Sequence, residues 1–300
     1  MKMMKSALLA LGLGLSFAPN LVASSSGVQA IQDRFESIEE VQQELRKQGL
    51  ESSNLIVGID FTKSNNWTGK DCFGGKCLHK IENGHSSNPY QTVINIIGRA
   101  LHGFDDDDII PTYGFGDLKT KDTRVFPMMW GDQWCEGFAQ VEQVYRKFAE
   151  SINKRGGIRL SGPTSFVPLI EQAIRTIEEE GGYHILVIIA DGSVTDYEKN
   201  HAALVRASQY PLSVIMVGVG DGDGAAEGEP FKLMKDLDDD VRGKKFDNFQ
   251  FVNFTDLWEA TEGLSQQERD AEFALEALME IPEQYQRIKA LGLLNNYRGR

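Results

Sequence analysis

Apolar residues gather in five short runs along the chain, and most of these runs stop at an aspartate. They occupy residues 55–59, 111–117, 183–191, 211–221 and 249–254. Unbroken apolarity over so few positions suits strands buried on both faces, as in a parallel sheet. Between the runs the apolar spacing lengthens to three or four, which predicts helices over 89–102, 137–152, 166–180, 197–209 and 231–237. Strand and helix in alternation imply an α/β fold with a doubly wound, mostly parallel sheet. In such open sheets ligands bind beyond the carboxyl ends of the strands. The aspartates therefore stand at the functional edge.

Helical patterns flank this core. Phe35, Ile38, Val41 and Leu45 recur on one face of an amphipathic lead helix that Gly49 ends. From Ser265 the chain is again helical. Ser265 and Glu268 have capping-box spacing, and Phe273, Leu275, Leu278 and Ile281 supply an apolar face. Pro282 opens a second tail helix with Tyr285, Ile288 and Leu291 facing inward. At the other end, Lys2 and Lys5, an apolar run over 7–18 and then small residues have the layout of a secretory signal peptide, with cleavage expected after Ala23. The division expected is a signal peptide over 1–23, the lead helix within 24–50, the α/β domain over 51–263 and a helical carboxy-terminal extension over 264–300. That leader implies a secreted chain or one in the secretory lumen; an uncleaved leader implies a cytoplasmic one.

Composition changes this picture only at the margins. A chain of 300 residues with 41% hydrophobic and 25% charged residues builds an ordinary core. A formal net charge of −13 with no local basic cluster argues against nucleic acid and against direct binding to anionic membranes. The acidic loop at 220–229 lacks the full ligand set of a calcium loop and reads as solvated. Three cysteines exclude a disulfide-rich scaffold. In Cys72-Phe73-Gly74-Gly75-Lys76-Cys77, the Gly-Gly pair suits a two-residue hairpin turn. Cys72 and Cys77 would then face each other with Cα atoms about 4.5 Å apart, within reach of a disulfide. Two reduced thiols in a loop are the alternative, and the leader decides between them. His79 and His85 follow at a spacing unsuited to zinc.

The stretch with most chemistry is Gly58-Ile-Asp-Phe-Thr-Lys-Ser-Asn-Asn-Trp-Thr-Gly69. Asp60, Thr62 and Ser64 form D-x-T-x-S at the end of a buried strand, so their oxygens can converge above the sheet edge. Asp191 closes another strand at the same edge, and Thr164 lies on a Gly-Pro loop between them. Two carboxylates and three hydroxyls make a hard, all-oxygen donor set suited to Mg2+ or Mn2+. Hydroxyl ligands add no charge, so an ion held this way attracts an acidic side chain at an open position. Each hydroxyl taken singly reads as turn-stabilising; the five residues together read as a metal set. Asn66-Trp67-Thr68 is also an N-glycosylation acceptor, with Asn66 the candidate, while Asn253-Phe254-Thr255 falls at a core strand end.

These residues resemble the metal-ion-dependent adhesion site of von Willebrand factor A domains. The segments around Asp60, Tyr113-Gly-Phe-Gly-Asp117, Leu160-Ser-Gly-Pro-Thr-Ser-Phe166 and Ile188-Ile-Ala-Asp-Gly-Ser193 look like the copine-type A domain. The lead helix and tail look like plant RING-type ubiquitin ligases, and the resemblance spans residues 31–294. It implies a von Willebrand factor A or Rossmann-like fold, with Asp60, Thr62, Ser64, Thr164 and Asp191 holding the ion. Asp60 and Asp191 would act partly through water. The function implied is a protein-binding module that recognises a Glu or Asp carboxylate of a partner. The 300 residues contain no RING-type Cys/His cluster and no catalytic triad or zinc-protease motif, so the expectation is a chain that is not an enzyme. The alternative is the substrate-recognition part of a ubiquitin ligase system working with a separate RING subunit.

Overall fold

The computed structural model describes residues 37–50, 53–82, 87–101, 107–131, 133–192, 194–222 and 229–296. The proposed signal segment, Phe35 and His85 lie outside them. The centre is a six-stranded sheet in the order β4-β3-β1-β6-β7-β8. Its strands are β1 (Asn54–Asp60), β3 (Thr112–Phe115), β4 (Phe126–Pro127), β6 (His184–Ala190), β7 (Leu212–Gly218) and β8 (Phe249–Asn253). All pairings are parallel except that of β4 on β3. A separate antiparallel pair joins β2 (Ile109–Ile110) to β5 (Cys135–Glu136).

Alternation along the strands builds two core layers. Leu55, Val57 and Ile59 of β1, with Ile185, Val187 and Ile189 of β6, face α1 (Ile38–Lys47), α2 (Pro89–Leu101) and α3 (Gly137–Ser151). Ile56, Leu186, Ile188, Val214 and Met216 point the opposite way, against α4 (Val167–Glu180), α5 (Tyr197–Ala207) and α6 (Lys232–Asp239). Burial of each such side chain contributes about 1.5–3 kcal/mol. The lead helix is closed by a Schellman motif, in which Leu50 N–H donates to Leu45 O at 3.0 Å and Gly49 N–H to Arg46 O at 2.9 Å.

The tail joins the first layer. After the short α7 (Phe254–Ala260), the helices α8 (Gln266–Leu278) and α9 (Ile281–Ala290) pack against α1, and α10 (Leu293–Asn296) follows α9. The capping box at Ser265 and Glu268 is present, and Phe273, Leu278, Ile281, Tyr285 and Ile288 are buried. Leu291 is not inward-facing; it is 45% exposed at the carboxyl cap of α9, and Leu293 takes the buried place. No helix among the described residues is long and apolar enough to cross a membrane.

The expected Cys72–Cys77 disulfide is not formed, and both residues are free thiols. The local inference about the turn holds, since Gly74 and Gly75 both have left-handed φ, +59° and +73°, and Lys76 N–H donates to Phe73 O. Neither flank is a paired strand, however: Cys72 and Phe73 lie in a turn, and Lys76 and Cys77 are irregular. The Cys72 amide donates to Asp221 Oδ1 at 2.8 Å, a partner 149 residues away. Burial pushes both thiols up, which keeps them protonated.

Candidate metal centre

Strand order places the site. From β1 the chain goes to β3 on one side and later to β6 on the other. The crevice beyond the carboxyl ends of β1 and β6 is therefore the topological switch point, where open α/β sheets bind ligands. Asp60 is the last residue of β1 and Asp191 directly follows β6. Both are fully buried.

Hydroxyls lace the two carboxylates together. Thr62 Oγ1 donates to Asp60 Oδ2 at 2.8 Å, and the Thr62 amide donates to Asp60 Oδ1 at 2.7 Å. Ser64 Oγ lies 2.9 Å from Thr62 Oγ1 and donates to Asp191 Oδ1 at 2.9 Å. A single turn of 3-10 helix, Lys63–Asn66, gives the loop this curvature. Four of the five expected ligands thus share one cluster. Thr164 does not join these hydrogen bonds. Its loop is tied to the first by Lys63 N–H on Ser161 O (2.6 Å) and to the third by Thr195, which exchanges bonds with Thr164 at 3.2 and 3.0 Å. Neighbouring Ser165 is engaged at the start of α4, where its Oγ accepts from the Val167 amide at 3.4 Å.

Other residues hold the cluster from behind, and two of them were not singled out by sequence pattern. Asn65 is fully buried; its Nδ2 donates to Asp60 Oδ2 and Thr62 O, while its Oδ1 accepts from Tyr90 Oη at 2.7 Å. Thr68, read from sequence as part of a glycosylation acceptor, is 3% exposed and donates to Asp191 Oδ2 at 2.5 Å. Asn66 itself is exposed. Gly116 has φ +81°, and a Cβ there would lie 2.4 Å from Thr62 Cγ2 and 3.1 Å from Asp60 Oδ1. Only glycine fits under the loop. The aspartates that end the other runs serve structure instead. Asp117 accepts from the Thr120 amide and hydroxyl, and Asp221 accepts from the amides of Asp71 and Cys72.

Burial drives the Asp60 carboxyl well above the usual carboxylate range, and the neighbouring Asp191 charge adds to this. Asp191 is also raised by burial, opposed by hydrogen bonds from Asp60, Thr68 and Ser64. Two buried acids without a basic partner are costly as anions. A divalent cation between them would offset that cost, and an oxygen-only set fits Mg2+ or Mn2+. No group of three or more His, Cys, Asp or Glu suited to a metal exists among the described residues, so the hydroxyls are essential to any such site.

Topology defines an α/β domain with a doubly wound, mostly parallel sheet and its crevice at the switch point. The chain belongs to the copine family, whose family model matches residues 77–297. It is 49% identical over 282 residues to E3 ubiquitin-protein ligase RGLG5 of Arabidopsis thaliana, covering 90% of this chain and 61% of that protein. It is 45% identical over 298 residues to E3 ubiquitin-protein ligase RGLG4 of the same plant, covering 95% and 70%. The chain thus spans less than two thirds of the length of RGLG5. Among solved structures, manganese-loaded Plasmodium vivax TRAP protein matches with a TM-score of 0.40 and 11% identity, covering 71% of this chain and 73% of that one. So distant a likeness carries no argument about the site. The expectation of a non-enzymatic chain is corrected by these relatives, which are named as ligases and hence as enzymes. Fold and family support a protein-interaction module.

Proposed function

We propose that this domain binds protein partners through a divalent cation, Mg2+ or Mn2+, held by Asp60, Thr62, Ser64, Asp191 and Thr164. The ion supplies an electrophilic position that accepts a Glu or Asp carboxylate of the partner. The carrying observation is the hydrogen-bonded convergence of Asp60, Thr62, Ser64 and Asp191 at the switch point of the sheet. Asp60 and Asp191 balance the ion's charge, Thr62 and Ser64 orient their carboxylates, and Gly116 keeps the loop seated. Exposed Lys63 and Trp67, which is 57% exposed, border the site and offer contact to a partner.

A peptide-display selection against the intact chain tests this reading. Sequences enriched with Mg2+ and lost with EDTA should carry an obligatory Asp or Glu. Absence of any Mg2+-dependent enrichment, or Mg2+-dependent enrichment that persists on Asp60→Ala, would sink it. The named relatives favour a second, compatible reading, in which the module selects substrates for ubiquitin transfer within a ligase system. Its test is metal-dependent capture of a protein that becomes ubiquitinated in the native extract. Capture of proteins that never carry ubiquitin would count against it.

A further inference from the structure

A second surface lies apart from the cation site and shares none of its five residues. It is a cavity of about 730 Å³ between the β4 edge of the sheet, the second half of α3 and the 156–158 loop. Phe126 and Phe148 stack on its floor with ring centroids 5.6 Å apart, and Met129 adds a flexible apolar wall. Trp130 stands at its mouth, 88% exposed. An indole left that open on a rim of apolar residues is a recurrent mark of an interaction surface.

Charge selects the occupant. Lys119, Arg124 and Lys147 line this cavity, are exposed, and form no ion pair among the described residues. The acid lining it is Asp117, which is 3% exposed and already bonded to Thr120. Three unpaired cations around an apolar floor contrast with the formal net charge of −13 for the chain. Their sequence positions are scattered, and the fold assembles them. Backbone chemistry narrows the mode of binding. The bordering strand β4 is two residues long and includes Pro127, which lacks an amide hydrogen. An added strand would find little to pair with, whereas a helix docks through side chains.

We propose that this groove binds an acidic amphipathic helix of a protein partner, its aliphatic or aromatic face on Phe126, Phe148 and Trp130 and its carboxylates on Lys119, Arg124 and Lys147. The site needs no metal.

The test uses the full chain and a labelled synthetic helix of about four turns, with Leu and Phe on one face and Glu on the other. Fluorescence anisotropy should show saturable binding that weakens with salt. Arg124→Glu combined with Lys147→Glu should lower affinity about tenfold or more, and Trp130→Ala should lower it comparably. These side chains are exposed, and circular dichroism verifies the fold of each variant. EDTA and Asp191→Asn should leave this binding unchanged, which separates it from the cation site. Absence of saturable binding, equal binding of a Lys-for-Glu peptide, or unchanged affinity in the charge-reversed variant would overturn the proposal. So would a loss of binding with EDTA, or sedimentation showing that Trp130 mediates self-association instead.

Discussion

Thr68→Val removes one hydroxyl and nearly preserves shape, so it tests the bonds of Thr68 Oγ1, the short one to Asp191 Oδ2 and a longer one to Ser64 O at 3.1 Å. The bond to Asp191 is 2.5 Å long, buried, and directed at a carboxylate whose ordinary ionisation burial already opposes. A hydrogen bond to a charged group contributes about 1.5–3 kcal/mol, and its loss in the interior carries the full desolvation cost of the orphaned acceptor. For a domain of this size, 1 kcal/mol shifts the melting temperature by about 2–4 °C, so a fall of roughly 3–12 °C is expected. Thr68→Ser keeps the donor and should cost about 1 kcal/mol or less. Asn66→Gln, which abolishes the glycosylation acceptor but not the hydrogen bond, should be neutral in protein made without N-glycans. Thermal and urea unfolding of the three variants, each with and without Mg2+, separates these effects. A Thr68→Val protein as stable as the parent would refute the structural role of the hydroxyl. An Asn66→Gln protein as damaged as Thr68→Val would refute it equally.

Further outcomes follow from neighbouring residues. Gly116→Ala should destabilise by roughly 2–5 kcal/mol, combining the left-handed backbone cost with the clash on Thr62; an unfolding curve within error of the parent's contradicts this. Burial holds the His79 imidazole down at about 3, with Nδ1 bonded to Tyr145. An unfolded His79 takes up a proton below about pH 6.5 that the folded protein refuses. Stability should therefore fall as pH drops from about 6.5 toward 3, with a slope from this residue of up to about 1.4 kcal/mol per pH unit. His79→Gln should flatten that limb, and an unaltered slope in urea titrations across this range would argue against the buried neutral ring. In denatured, unreduced protein, thiol titration should count Cys72, Cys77 and Cys135 as three free thiols; a count of one would restore the disulfide.

The fold was legible because the strands of a parallel sheet are apolar on both faces, and β1, β6 and β7 announce themselves by composition alone. The capping box at Ser265 was equally visible, since its partners are three residues apart. The site was legible as residue types, although four aspartates end apolar runs. The D-x-T-x-S spacing and the family resemblance single out Asp60 and Asp191. Strand order supplies the physical reason: these two flank the switch point, whereas Asp117 and Asp221 brace loops. Thr68 shows the limit of local pattern. Its sequence neighbours spell a glycosylation acceptor, while its contact with Asp191 spans 123 residues. The Cys72–Cys77 reading failed for a related reason: the Gly-Gly turn is local, but the amide that fixes Cys72 is held by a loop from the far end of β7. Leu291 fell one residue beyond the last helical turn, where the apolar period no longer applies.

The central claim is that Asp60 and Asp191, with the hydroxyls between them, form a divalent-cation site. Calorimetric titration of the intact chain with Mg2+, and separately with Mn2+, tests it most directly. The account predicts one saturable site that disappears in Asp60→Asn and in Asp191→Asn and weakens in Ser64→Ala. Absence of binding in the parent protein, or binding that persists unchanged in either carboxylate variant, would contradict it.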